Sequence, residues 1–361
     1  MNFYPLEIIG KTQESKDAVS FEFRPESDHP LLNFEAGQYV TVKFNHNNGD
    51  LLRCYSYSSQ PGQKSFSITI KKVKKGKVSS ALCDDYNIGD TVMMAGPHGK
   101  FTVKTDFSAR RIFYFFAAGS GITPIYSLIQ SILEQEPKSE VHLLYGNRHE
   151  EDIIFKDQLD RLTNNYHGQL FVEHVLSKPD GNSLFSVFKK SVKKWTGLKG
   201  RIDFKHIEKF LENHPANKIP ANYFLCGPGS FIQNTEKILT QLGIDRNHIH
   251  REFFNLEKEI NFSGEVNTSF VFSQLKATLD GKTIEIEVNP GEKIIDALLR
   301  KNYNPPFSCS SGACATCIAK LVSGKVKMDV SMALEANEIE AGYILTCQSR
   351  ALTEEVEIVF E

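Results

Sequence analysis

Cys309-Ser310-Ser311-Gly312-Ala313-Cys314-Ala315-Thr316-Cys317 spaces its thiols C-x4-C-x2-C, and a fourth, Cys347, follows after 29 further residues. Four thiolates at that spacing, with the last ligand far along the chain, suit a [2Fe–2S] cluster. A structural zinc site would pair two C-x2-C knuckles, and only Cys314 and Cys317 form one here. The spacer residues are small, so the backbone can wrap closely and aim N–H groups at the sulfurs, which stabilises the cluster's negative charge. Cys309, Cys314, Cys317 and Cys347 are therefore the expected metal ligands, and the chain an expected carrier of single electrons.

The flanking sequence supplies a frame for that loop. Residues 283–288 alternate as a strand, 294–300 have helical spacing, and Ile344-Leu345-Thr346-Cys347-Gln348 precedes an alternating run at 356–360. Residues 269–361 together resemble the β-grasp plant-type ferredoxin domain. This segment holds 9 Lys/Arg against 13 Asp/Glu, or −4, which leaves +2 for the rest of a chain whose net charge is −2. So mild an acidic bias suits docking and gives no footing for nucleic acid.

With 361 residues there is room for two or three domains. No stretch reaches the roughly 18 apolar residues that span a bilayer. The N-terminus lacks the basic and apolar regions of a signal peptide, so no membrane is expected and the location expected is cytoplasmic. Beyond the four ligands, Cys54, Cys83 and Cys226 are too scattered for a disulfide framework.

The first hundred residues read as short strands at 6–11, 18–24, 39–44, 51–58, 66–72 and 91–95, separated by turns, as an antiparallel barrel requires. Within it, Arg53-Cys54-Tyr55-Ser56 places a cation to meet a pyrophosphate, a phenol to stack on a flavin ring and a hydroxyl to bond flavin N5. Gly76-Lys77-Val78-Ser79 then turns into a short helix whose N-terminus suits a phosphate. Of the five lysines between 71 and 77, most read as a solvated edge, and Lys71 is the one expected to add to that field.

From about residue 107, strands and helices alternate. Residues 111–118 form a continuous apolar run of the kind found in a buried parallel strand. It ends in Gly119-Ser120-Gly121-Ile122-Thr123-Pro124, with helical spacing from 125 to 133. A strand, a glycine turn and a helix start make a pyrophosphate site, although Pro124 stands where the full G-x-G-x-x-G pattern ends in glycine. A second strand, 141–145, leads to Arg148, a third, 171–176, to Ser177-Lys178, and a later one, 222–225, to Cys226-Gly227-Pro228. Cations and a hydroxyl after the second and third strands favour a 2′-phosphate, hence NADPH, with NADH still possible.

In that order, Arg53-x-Tyr55-Ser56, Gly119 to Pro124 and Cys226-Gly227-Pro228 resemble the ferredoxin-NADP reductase superfamily. With a C-terminal cluster domain the chain resembles the reductase components of bacterial oxygenases, and among them most the reductase subunits of phenylacetyl-CoA epoxidase systems of phenylacetate degradation. Tyr145-Gly146-Asn147-Arg148, Gly200-Arg201-Ile202-Asp203, His250-x-Glu252-x-Phe254-Asn255, Gly324-Lys325-Val326 and Ala341-Gly342-Tyr343 reinforce it. The resemblance implies an FAD-binding β-barrel (1–106), a parallel-sheet NAD(P)-binding α/β domain (107–255), a linker (256–268) and the ferredoxin domain (269–361). It further implies that Arg53, Tyr55 and Ser56 hold FAD, in preference to FMN, with Gly76, Val78 and Ser79 near its pyrophosphate. Gly119, Ser120, Gly121, Thr123 and Pro124 would hold the nicotinamide nucleotide, and Ser56, Cys226 and Glu252 would face hydride transfer. His250 reads as structural.

The electron bookkeeping agrees: nicotinamide gives a pair as hydride, a [2Fe–2S] cluster accepts singles, and flavin converts between them. The expected partner is an oxygenase or epoxidase component. A general diaphorase, or a non-catalytic redox sensor or electron-transfer subunit, would carry the same motifs. The polar run at 256–268 suits a tether that lets the ferredoxin domain move. Lys189, Lys190, Lys193, Lys194, Lys199 and Arg201 around Trp195 read as a solvated helix face.

Overall fold

The computed structural model describes residues 2–46, 49–179, 195–254, 270–307, 309, 312–331, 333–334 and 336–360. The tether expected at 256–268 and Lys189, Lys190, Lys193 and Lys194 lie outside them. Two compact units result, one of Tyr4–Leu51 with Tyr55–Glu252, the other of Phe253–Glu361 with Met1–Phe3 and Leu52–Cys54.

Six antiparallel strands open the chain: β1 (Tyr4–Ser15), β2 (Ala18–Phe23), β3 (Tyr39–His46), β4 (Gly49–Ser56), β5 (Phe66–Lys71) and, after helix α1 (Lys77–Asp85), β6 (Thr91–His98). Their order is β4-β3-β6-β1-β2-β5, and a bridge from Tyr57, just past β4, to Ile68 of β5 joins the two edges into a barrel. Closure leaves few ladder groups unpaired, which is how small β-folds dispose of their edges. Alternate residues fill the interior, among them Ile8, Phe21, Phe23, Val40, Val42, Ile68 and Met94. Each large side chain so buried contributes about 2 kcal/mol. The Tyr57 ring stacks on Phe34 with centroids 3.8 Å apart, and its hydroxyl donates to the Leu31 carbonyl at 3.0 Å.

The chain then alternates: β7 (Ile112–Ala118), α2 (Ile122–Gln135), β8 (Glu140–Asn147), α3 (Lys156–Asn165), β9 (Leu170–Leu176), β10 (Leu198–Lys199), α4 (Phe204–Asn213), β11 (Ala221–Gly227), α5 (Gly229–Gln241) and β12 (Ile249–Phe253). The sheet order is β10-β9-β8-β7-β11-β12, with β10 through β11 parallel. Of the basic stretch around Trp195, the described members do not form a helix face: Lys199 ends β10 and Arg201 follows in a bend.

Near the amino ends of these strands, Phe171, His142, Tyr114 and Tyr223 occupy successive register positions on β9, β8, β7 and β11. Their rings form a ladder with centroids 4.8, 5.3 and 5.0 Å apart. Burial, with His214 beside it, pushes the His142 imidazole down to about 3, and burial pushes His174 down to about 4. The unfolded chain takes up protons below about 6.5 while these two rings do not, so stability falls as pH drops from 6.5 towards 4. Melting curves should show the loss, about 2 kcal/mol per histidine by pH 5. His142→Phe, which keeps the ladder without the titration, should flatten the profile; an unchanged slope would exclude His142 as its source.

The second unit contains β13 (Ser273–Leu279), β14 (Lys282–Val288), α6 (Ile294–Arg300), β15 (Ile318–Ser323), β16 (Val326–Met328), α7 (Ala336–Glu340), β17 (Tyr343–Leu345), β18 (Ser349–Ala351) and β19 (Glu355–Phe360). The main sheet runs β14-β13-β19-β15-β17, with β13 parallel to β19, and β16 pairs separately with β18. Helix α6 lays Ile294, Ala297 and Leu298 onto this sheet's core with Leu275, Val356 and Ile358. A helix held across a mixed sheet of this order is the β-grasp ferredoxin fold.

Candidate active site and cluster loop

The connection from α6 to β15 carries Cys309, Cys314 and Cys317, and Cys347 follows β17. Cys317 and Cys347 are buried, and Cys309 and Cys314 half-buried. Cys309 interacts with Cys314, which also meets the Cys54 thiol, and Cys317 interacts with Cys347. Within the second pair Cys347 ionises first, because its sulfur accepts from Cys317 and also from the Gln348 amide and the Gly312 N–H. Thr346 donates through both its N–H and its hydroxyl to the Cys317 carbonyl, each at 3.0 Å, which ties the late ligand to the early loop. Gly312 has φ +77°, and a Cβ there would stand 3.0 Å from Gln348 Cγ. Among the described residues no three ligand-type side chains converge on one point. Two separated pairs are what two bridged irons require, and the all-sulfur donor set fits.

On the barrel, β4 presents the expected flavin residues. Ser56 is buried and its Oγ has no hydrogen-bond partner among the described residues, so a hydroxyl stands ready for a further acceptor. Tyr55 is half-buried against the barrel core. Arg53 is exposed, and its Nη1 donates to the Leu52 carbonyl at 2.7 Å. Gly76 is the N-cap of α1; a Cβ there would lie 2.6 Å from Ser79 Oγ, itself the acceptor for the Val73 N–H at 3.1 Å. Val78 points into the core. What this turn offers an anion is therefore the first-turn amides rather than the side chains of Val78 and Ser79.

Lys71, expected to add to the field of that turn, has its side chain directed towards the nucleotide turn. Its ammonium is 3.7 Å from where a Cβ on Gly119 would be, and burial lowers its pKa, with Asp152 and Asp17 opposing and Arg148 adding to the effect. Lys72 pairs with Asp84 at the surface, as a solvated edge would.

The nucleotide turn leaves β7 through Gly119 (φ +56°), a left-handed residue, and enters α2 at Ile122. Tyr145 donates its hydroxyl to the Gly119 carbonyl at 2.9 Å, and the buried Thr123 hydroxyl donates to the Ser120 carbonyl at 3.1 Å. Pro124 falls in the first helical turn, where an N–H would have no intrahelical acceptor, which is why it replaces glycine at no cost in hydrogen bonds. Tyr145 thus has a role beyond its place in the Tyr145-Gly146-Asn147-Arg148 motif, and a hydroxyl at the end of a strand that faces a glycine turn is the sequence signal for it. Arg148 and Ser177-Lys178 follow adjacent strands, with Lys178 N–H donating to the Arg148 carbonyl at 2.8 Å.

Cys226, at the end of β11, is fully buried, and burial raises its thiol, with Glu252 adding to the effect. Burial likewise pushes Glu252 up to about 8, and its Oε2 has no hydrogen-bond partner among the described residues. The unfolded carboxyl loses its proton near 4.5, so stability should fall as pH rises from there towards 8. Glu252→Gln should remove that fall, by an amount on the order of a few kcal/mol at pH 8. Equal melting temperatures for the two proteins at pH 5 and pH 8 would contradict the raised carboxyl. Pro228 is the N-cap of α5, and His250 stacks on Phe224 with centroids 4.5 Å apart.

A dinucleotide turn, a flavin wall and a four-thiolate loop on one polypeptide define an NAD(P)H-linked flavin and iron–sulfur oxidoreductase. Comparison with known proteins agrees: family models for an oxidoreductase FAD-binding domain, an oxidoreductase NAD-binding domain and a 2Fe-2S iron-sulfur cluster binding domain match residues 5–103, 115–237 and 277–352. The chain is 31% identical to one of the subunits of 1,2-phenylacetyl-CoA epoxidase from Escherichia coli K12, over 99% of this chain and 98% of that protein. It is 32% identical to the ferredoxin reductase component of 3-ketosteroid-9-alpha-monooxygenase from Mycobacterium tuberculosis, over 98% and 94%. Phthalate dioxygenase reductase shares the fold with a TM-score of 0.58 and 25% identity, over 99% and 98% of the two chains. The chain belongs to this family of FAD-, NAD- and [2Fe–2S]-binding reductases. Among its described residues no helix is long and apolar enough to cross a membrane.

Proposed function

We propose that this chain takes electrons from NADPH and delivers them to the oxygenase component of a phenylacetyl-CoA epoxidase, in the cytoplasm and within phenylacetate catabolism. The observation that carries the acceptor is the full-length likeness to the epoxidase protein of Escherichia coli, with every cofactor module in the same chain. The monooxygenase relatives support the broader role of feeding an oxygenase. In this reading residues 1–106, 107–255 and 269–361 are three working domains, with 256–268 linking the second to the third.

When bound, flavin supplies the exchange between a hydride and single electrons, and the cluster supplies one-electron capacity. The residues do the rest. Ser56 would donate a hydrogen bond to the flavin ring, Tyr55 would cover that ring and Arg53 would meet a pyrophosphate oxygen, while the amides following Gly76 would offer donors to a phosphate. The Gly119 to Thr123 turn and Lys71 would hold the coenzyme's phosphates, Cys226-Gly227-Pro228 would shape the floor of the nicotinamide site, and a neutral Glu252 would help close it against water. Cys309, Cys314, Cys317 and Cys347 hold the irons.

Arg148, with Ser177 and Lys178, carries the preference for NADPH. Arg148→Ala should raise KM for NADPH roughly tenfold and leave NADH nearly unchanged, as expected for one lost charge-assisted phosphate contact. The acceptor is tested by reconstitution: NADPH oxidation coupled to epoxidation of phenylacetyl-CoA by the catalytic subunits supports the reading. Efficient coupling only to another oxygenase, or flavin that NADPH and NADH both fail to bleach, would overturn it.

A further inference from the structure

We propose that Arg201 is a further specificity-determining residue, a second guanidinium for the 2′-phosphate monoester of the coenzyme; this rests on the NADPH reading above. Beyond the carboxyl ends of β8, β9 and β10 the backbone continues in register. Leu176 pairs with Asn147 on one side and Lys199 on the other. One step further, Ser177 N–H donates to the Asn147 carbonyl at 2.9 Å, and Gly200 N–H donates to the Leu176 carbonyl at 2.9 Å.

After Gly200, with φ +112°, the chain turns back across the sheet, and Ile202 is buried against β8: a Cβ on Gly146 would stand 3.1 Å from Ile202 Cδ1. Arg201 is thus held between a residue bonded to β9 and one packed on β8, above the strand ends that carry Lys178 and Arg148. The bend is pinned from behind, since His206 reaches the Lys199 carbonyl at 3.1 Å and Asp203 at 2.7 Å.

Arg148, Lys178 and Arg201 are all exposed, and among the described residues none has an ion-pair partner. Three like charges gathered at one rim repel one another, and a doubly charged phosphate relieves that repulsion. Arg201 supplies a planar fork that the Lys178 ammonium cannot.

Arg201→Ala and Arg201→Lys in the full-length holoprotein test this. The alanine variant is expected to raise KM for NADPH roughly tenfold with kcat unchanged, to leave NADH kinetics and the flavin and iron content intact, and to weaken binding of adenosine 2′,5′-bisphosphate but not of 5′-ADP. Arg201→Lys should keep part of the affinity. An unchanged NADPH-to-NADH ratio in Arg201→Ala, while Arg148→Ala lowers it, would overturn the role of Arg201 alone. Equal weakening towards both coenzymes would also overturn it. A parent protein with no preference for NADPH would sink the NADPH reading itself, and Arg201 with it.

Discussion

Gly121→Ala should abolish coenzyme-driven flavin reduction and lower the melting temperature of the nucleotide lobe by about 6–12 °C, the shift that corresponds to about 3 kcal/mol in a lobe of this size. A Cβ at this position would stand 2.1 Å from the Cys226 carbonyl oxygen, 2.3 Å from its carbon and 2.6 Å from the Gly227 nitrogen. All three are backbone atoms of β11, so no side chain can swing aside. The turn that leaves β7 and the loop that leaves β11 must separate, and both line the coenzyme site. Gly119 offers the contrast. Its neighbour in that direction is the flexible end of Lys71 at 3.7 Å, so Gly119→Ala meets mainly the left-handed backbone penalty of about 1 kcal/mol. Calorimetry and NADPH titration of both variants check the ranking; a Gly121→Ala protein as stable as the Gly119→Ala protein would contradict the close approach.

Cys317→Ser is expected to lose iron and labile sulfide entirely while flavin content and NADPH-dependent flavin bleaching remain at parental levels. Cys317 lies under Ile295, Leu334, Leu345 and Cys347, so the serine hydroxyl would be buried among apolar neighbours besides being a poor iron ligand. Reduction of a one-electron acceptor such as cytochrome c should drop to background. Retained single-electron delivery in a cluster-free protein would show that the flavin serves the acceptor directly, and the cluster loop would lose its assigned role.

Much of this architecture was readable from residue order. Helix α6 spans Ile294–Arg300, the bounds its spacing predicts, because one face meets a sheet core and the other meets water. The strand predicted at 6–11 extends over Tyr4–Ser15, since register shifts after Ile8 and after Gln13 break the alternation that marks a strand. Helix α2 begins at Ile122 rather than Ile125: Ile122 carries the apolar period one turn earlier, into the segment whose glycines and Pro124 mark a turn in the sequence. The site divides in the same way. Ligand spacing identifies the four cysteines without help from the fold. That Lys71 reaches Gly119 and that Ile202 packs on β8 at Gly146 are contacts between segments distant in sequence, and no local pattern encodes them.

The ladder of Phe171, His142, Tyr114 and Tyr223 has a consequence for how this lobe can diversify. Cohesion is concentrated at one pole of the sheet and recognition at the other, so exchanges at the coenzyme-facing pole leave the stacked rings undisturbed. Retargeting such a reductase from one pyridine nucleotide to another should therefore demand few compensating substitutions.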